Sequence, residues 1–429
     1  MDQKVPGMMT LLNYLFVSTV FLGGFLLCTS PIEFYDSYIL VLLFLVFYVI
    51  RYRRVEINPS FLIIVLILTI SSLVNVWFGK DTELLMLKQV LGILVTGTAY
   101  YLLIKINGYD VKKLFKIYLQ IALIVAAIGI FQEYSFLIGF KNGYDYSGFI
   151  PMWRCVPATG GMLRLNSIFM EPSHYAITMA PALFVSMSNI LRKRQVFLNT
   201  WVGSIVIIIS YILTFSTVAY IAIVIGVLLF VNIRDFKNLI ILSIVTSALM
   251  YAAYRYEPEI HMRVDSTIGV ATGSKDLTSS HLSVYTIVSN GFVAFKSFMS
   301  DPIFGSGLGS HPLSYDKFIH RIGLNDFWSL SYTLVNRMDA GSLFLRLLSE
   351  TGLFGLIAVL YFVFKFRLKI GDKKELPILS NAVFILFVLQ LLKQGHYFYD
   401  GLFFFVWMYY FAYQLYFKPN LRVTESKSN

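Results

Sequence analysis

The feature that most constrains this chain is a succession of apolar runs, most of them about as long as the hydrocarbon core of a bilayer. A core of ~30 Å takes ~20 apolar residues as a helix. A segment alone in lipid must satisfy its own backbone polar groups, and helix is the conformation that does so. The runs lie at roughly 10–28, 37–50, 60–78, 87–105, 117–138, 173–190, 197–214, 217–233, 238–254, 342–364, 377–392 and 401–417. Of the 429 residues, 57% are hydrophobic and only 14% charged, whereas soluble domains carry about a quarter charged residues. The expected fold is an all-α polytopic membrane protein: one integral membrane unit over residues 1–429, with about twelve transmembrane helices.

Lysine and arginine in short loops set the orientation of such a chain. Arg51, Arg53 and Arg54 follow the second run, and Lys105, Lys112, Lys113 and Lys116 the fourth. Arg192, Lys193 and Arg194 follow the sixth, Arg234 and Lys237 the eighth, and Lys365, Arg367, Lys369, Lys373 and Lys374 the tenth. Lys418, Arg422 and Lys427 close the chain. Each cluster falls after an even-numbered run, so both termini are expected in the cytoplasm. The net charge of +11 is thereby spent on topology, and nucleic acid is not an expected partner. The first run has no evident cleavage site and reads as a retained span.

Two long segments, 139–172 and 255–341, then fall outside, as periplasmic or extracellular loops. Long loops in compact proteins tend to be functional. The run Val284–Met299 has helical spacing, and short helices are expected within these loops. All six histidines (His174, His261, His281, His311, His320 and His396) lie on this outer side, as do Cys28 and Cys155, which read either as a disulfide or as two buried thiols. The pair forms no C-x-x-C, and no metal site or cofactor is expected.

Three constellations on that side carry chemistry-bearing residues. Arg164–Ala176 brings Arg164, Glu171, His174 and Tyr175 to the start of a span, with Pro172 at the first helical turn. Arg164 is suited to a phosphate and Glu171 to a general base, if burial raises its proton affinity; an Arg–Glu pair anchoring a loop is the plainer alternative. Asp301–His311 carries Gly305, Gly307 and Gly309, whose exposed N–H groups suit an anion, an ordinary turn being the plainer alternative, with His311 beside them as a base or a surface residue. Asp339–Gly355 places Arg346 and Glu350 four apart on one helical face, either facing a cavity or stapling two helices. Gly352 and Gly355 permit close helix packing. Arg154, Arg164, Arg255, Arg263, Arg321, Arg337 and Arg346 together suit a lipid-linked phosphate or diphosphate; scattered solvated charge is the alternative.

These residues resemble a family. Arg164 to Ala176 (R-x-x-S-x-F-x-E-P-S-H-Y-A), Asp301 to Ser310 (D-P-I-F-G-S-G-L-G-S) and Ser342 to Gly355 (S-L-F-L-R-L-L-S-E-T-G-L-F-G) are similar, in order and topological position, to segments of the Wzy-type O-antigen and exopolysaccharide polymerases, in the superfamily that includes the O-antigen ligases. The resemblance implies transfer of a growing glycan from polyprenyl diphosphate onto a lipid-linked repeat unit at the bacterial inner membrane, without a metal and with inversion. It also implies a chain-length regulator as a partner. Carried onto this sequence, it places Arg164 and Arg346 on the diphosphate, Glu171 as first-choice base, His174 and His311 as second choices, and Glu350 as the residue that positions Arg346. Arg154, Arg263, Arg321 and Arg337 are further diphosphate candidates, and Tyr175 is among the loop aromatics that would meet sugar. Many relatives carry His-Asn where this chain has Ala340 and Gly341, which disfavours the ligase reading. A flippase for the lipid-linked unit and a polyprenyl-phosphate-sugar glycosyltransferase are the rivals from other classes.

Overall fold

The computed structural model describes residues 6–28, 34–158, 161–193, 195–197, 200–230, 247, 251, 254–255, 258–322, 335–370 and 375–418. It is mostly helical. Four helices are long and apolar enough to cross a membrane: α3 (Pro59–Trp77), α4 (Glu83–Ile106), α5 (Val111–Leu137) and α15 (Glu375–Lys393). Shorter apolar helices are α1 (Pro6–Ser18), α8 (Trp201–Ile212), α9 (Thr217–Phe230), α14 (Gly352–Lys365) and α16 (Leu402–Phe417). The remainder are α2 (Asp36–Tyr52), α6 (Lys141–Tyr144), α7 (Pro172–Leu191), α10 (Pro258–Ala271), α11 (Leu282–Ser300), α12 (His311–Phe318) and α13 (Leu343–Glu350). The run Val284–Met299 lies inside α11, and α6, α10, α11 and α12 are the short helices expected of the two long segments. The run 238–254 lies almost wholly outside the described residues.

Helix α7 is the centre of the bundle, packed by α15, α8 and α9. Every residue from Tyr175 to Asn189 is buried. At the periphery the pattern inverts. Only 22% of the apolar window of α3 is buried, against 72% for α15, and Ile63, Ile64, Ile67, Ile70 and Trp77 all face outward. An apolar exterior of this extent would be costly in water and is what contact with lipid tails requires.

The two ends of the bundle differ in chemistry. At one, Glu56 before α3 meets Lys105 at the end of α4 and Arg54 after α2, and Lys112 of α5 meets Glu375 of α15. At the other end, helices α3 and α4 turn at Lys80–Thr82, where Lys80 pairs with Asp301.

Two expectations need correction. The first run does not continue as helix to residue 28: a 3-10 turn follows to Phe21, and Leu26–Cys28 pairs antiparallel with Phe34–Tyr35. The run 342–364 is also not one helix. It breaks between α13 and α14 at Thr351 and Gly352, where Gly352 takes φ +61°. Segment 302–307 docks on the break, so the backbone groups freed there are satisfied inside the protein. Ser306 and Gly307 N–H donate to the carbonyls of Ser349 and Glu350 (3.1 and 2.9 Å), and Leu353 and Phe354 N–H donate to those of Pro302 and Ile303 (2.9 and 3.0 Å). Non-helical backbone near membrane depth is tolerated on this condition.

Candidate functional site

The glycine turn, open in sequence to an anion or to a plain turn, directs its N–H groups at a carboxylate of the protein itself. Gly309 N–H donates to Glu350 Oε2 at 2.8 Å and His311 N–H to Oε1 at 3.3 Å. Tyr397 hydroxyl donates to Oε2 at 2.8 Å, and Arg346 Nε to Oε1 at 2.9 Å. Four donors on one buried carboxylate leave it no lone pair for a ligand. The glycines make the approach feasible: a Cβ at Gly305, where φ is +68°, would stand 2.4 Å from the carbonyl carbon of Glu350. Glu350 thus pairs with Arg346 across one helical turn. Arg346 is 2% exposed. Its Nη1 donates to Gly395 carbonyl at 3.0 Å, and its guanidinium lies 4.5 Å from the ring centre of Tyr397.

His311 is an interior residue. Asn290 gives its amide N–H to Thr286 carbonyl (2.9 Å) and so turns its oxygen to His311 Nε2 at 3.1 Å. That places the ring proton on Nε2 and leaves Nδ1 to accept from Ser349 hydroxyl at 3.0 Å. Burial, with Arg346 and Arg337 adding and Asp339 opposing, lowers its pKa to about 3. Both ring nitrogens are engaged, so a role as base receives no support. Tyr175 is likewise corrected: it is fully buried, with its hydroxyl 2.6 Å from Ser210 Oγ, and has no face for a sugar.

Beside Arg346 lies a narrow cleft with an inner cavity of about 20 Å³, lined by Tyr35, Tyr38, Lys88, Gln89, His396 and Phe398 among others. His396 Nε2 stands 3.4 Å from Asp339 Oδ2, with 29% of the His396 side chain exposed. Asp339 Oδ1 accepts from Asn336 Nδ2 (3.0 Å) and Gly341 N–H (3.1 Å). The ring of Tyr399 lies 5.0 Å from that of His396 and 6.0 Å from that of His174, centre to centre, which ties the first constellation to the third.

Glu171 caps α7 next to Ser173, whose hydroxyl donates to it at 3.3 Å. Its pKa is lowered, not raised as expected: burial pushes it up, but His174, Lys393 and Arg154 outweigh that. The outer arginines do not all converge. Arg263 Nη1 donates to Thr217 Oγ1 (3.1 Å), Arg321 lies over the ring of Phe318, and Arg337 forms a two-pronged pair with Asp316. Arg154 is exposed near Glu171, and Arg164 is half-buried with its backbone N–H on Val156 carbonyl. Arg346 is the one predicted arginine that lines the cleft. Cys28 and Cys155 are both exposed and not joined.

Sequence reasoning missed Lys88, Asp339 and His396. The signal available was the polar, aromatic run Gly395–Gly401 between the last two apolar runs, which interrupts the hydrophobic pattern with His396, Tyr397 and Tyr399. No protein-family profile matches the chain, and no characterised protein matches its sequence.

Proposed function

We propose that the chain is a polysaccharide polymerase of the bacterial inner membrane, with twelve spans and both termini in the cytoplasm. It transfers a growing glycan from polyprenyl diphosphate onto a lipid-linked repeat unit. The observation that carries the reading is the place of Arg346: a buried guanidinium lining a cleft together with Lys88, at the end of an apolar bundle opposite its lysine-rich rim. A departing diphosphate needs fixed positive charge more than any other assistance, and cations that are already oriented stabilise it without reorganising. The lipid tail would stay among the apolar helices while the sugars occupy the aromatic cleft walls at Tyr35, Tyr38 and Phe398. Glu171 and His396 are the two groups able to take the proton of the attacking hydroxyl.

One observation favours a second reading. A helix broken beside an Arg–Glu pair, as at α13–α14, is a device of transporters, so a flippase for the same lipid-linked unit is the runner-up.

Deletion of the gene in its host, followed by gel separation of the surface polysaccharide, separates them. The polymerase reading expects single repeats with no ladder, restored by the wild-type gene but not by Arg346→Ala or Lys88→Ala. An unchanged ladder in the deletion strain sinks it. Single lipid-linked units trapped on the cytoplasmic face would establish the flippase, and lipid-linked polymer accumulating without transfer would establish a ligase.

A further inference from the structure

We infer that His396 is the catalytic base of the cleft, oriented by Asp339, and that it takes the proton from the attacking sugar hydroxyl. The inference rests on the polymerase reading and deepens it. His396 stands in the short connection between α15 and α16 and lines the cleft with Arg346. Nearly a third of its side chain remains open, while Nε2 faces the Asp339 carboxylate at 3.4 Å. That carboxylate is itself held by Asn336 and by Gly341 N–H. A carboxylate held this close to the ring stabilises the imidazolium that forms when the ring takes a proton. The alternatives are placed less well. His311 has both ring nitrogens occupied. Glu171, set among His174, Lys393 and Arg154, is not among the residues that line the cleft.

The surroundings of His396 also couple the base to the donor. The groups acting on it are Asp339 from the segment before α13, Arg346 of α13, His174 of α7 and Lys88 of α4. In the protein alone, burial lowers its pKa to about 4, with Arg346, His174 and Lys88 adding and Asp339 opposing. The imidazole therefore enters the reaction neutral. A diphosphate laid against Arg346 and Lys88 offsets two of the charges that weaken it, so its proton affinity rises when the donor is present. The acceptor hydroxyl oxygen then bonds to the anomeric carbon. The bond from that carbon to the diphosphate breaks, its electron pair leaving on the polyprenyl diphosphate. The hydroxyl proton passes to the His396 imidazole and on to water.

The test uses the deletion host complemented with full-length, epitope-tagged genes, and membrane vesicles from the same strains. His396→Gln keeps a polar side chain of similar reach but no base. At wild-type protein level it is expected to lose polymerisation by about 10²-fold or more, with Asp339→Asn intermediate. In vesicles, His396→Ala should regain polymer when imidazole is added, which a merely structural role would not allow. A full ladder from His396→Gln, or loss in His396→Ala that imidazole does not repair, overturns the inference. A ladder that wild-type complementation does not control overturns instead the polymerase reading on which it rests. Loss in Glu171→Gln alone, with His396→Gln intact, would move the base to Glu171.

Discussion

The two polar ends of this bundle handle charge in opposite ways. At the broken helix, Arg346 and Glu350 have side chains 3% and 0% exposed and share their hydrogen bonds with backbone N–H groups, a tyrosine and a carbonyl. At the lysine-rich rim, Lys112 and Glu375 are 39% and 42% exposed and, among the described residues, pair with each other. The first arrangement is a closed network in a medium of low dielectric, where each missing partner is costly. The second is a surface pair, screened by water and salt. A polar network is expensive to keep inside an apolar bundle, so the end that has one is the end where the chemistry is to be sought.

The largest loss of stability is expected from Glu350→Ala. It leaves a buried guanidinium, two backbone N–H groups and the Tyr397 hydroxyl without their acceptor. Removing one partner of a buried pair costs about 3–5 kcal/mol. Thermal unfolding in detergent is expected to show this as a large drop in midpoint. The double variant Arg346→Ala with Glu350→Ala should lose less than the sum of the two single changes. A drop no larger than that of a rim variant would erase the distinction between the ends.

Asp81 sharpens it from within. This carboxyl is 5% exposed and lies beneath the glycine turn, with Oδ1 accepting from Thr82 N–H at 2.7 Å and Oδ2 unpartnered. Burial pushes its pKa up to about 7, with Thr82 N–H opposing and Glu350 adding. Between about pH 4 and 7 an unfolded chain has released this proton while the folded protein keeps it, so stability falls across that window as pH rises. The ceiling on the effect is ~4 kcal/mol. Asp81→Asn is expected to raise the unfolding midpoint at pH 8 and to flatten the profile between pH 4 and 7. An unchanged slope would mean that Asp81 titrates as an ordinary aspartate and that the junction tolerates its charge.

How far these arrangements could be read in advance depended on sequence distance. Apolar runs announced α3, α4, α5 and α15, because burial in lipid or among helices needs only local composition. The break at Thr351 was masked, since S-L-F-L-R-L-L-S-E-T-G-L-F-G keeps apolar spacing across it. Gly352 was read as a packing residue, although its positive φ is what ends α13. The glycine turn was read either as a plain turn or as a site for a bound anion. The anion was misassigned because Glu350, 41 residues from Gly309, is brought to it by the same break. Glu171 was read as a carboxyl raised by burial, although His174, the foremost group opposing burial, lies three residues on in the same motif; only Lys393 and Arg154 come to it from farther off in the chain. Asp339 and His396 meet by the same long-range route.

The smallest expected effect tests the other end. Lys112 and Glu375 meet at 2.6 Å, and near them Asp110, Lys113, Lys116 and Gln195 line an open basin. Exposed pairs of this kind contribute less than about 1 kcal/mol, because water solvates each ion nearly as well as its partner does. Glu375→Ala is therefore expected to move the unfolding midpoint by about a degree or two, by less still in high salt, and to leave the polysaccharide ladder intact. A large loss that survives high salt would show that the rim is closed over in the membrane and holds its charges as the broken helix does. The contrast would then lie between two buried networks, and burial of charge would no longer mark one end of the bundle as the chemical one.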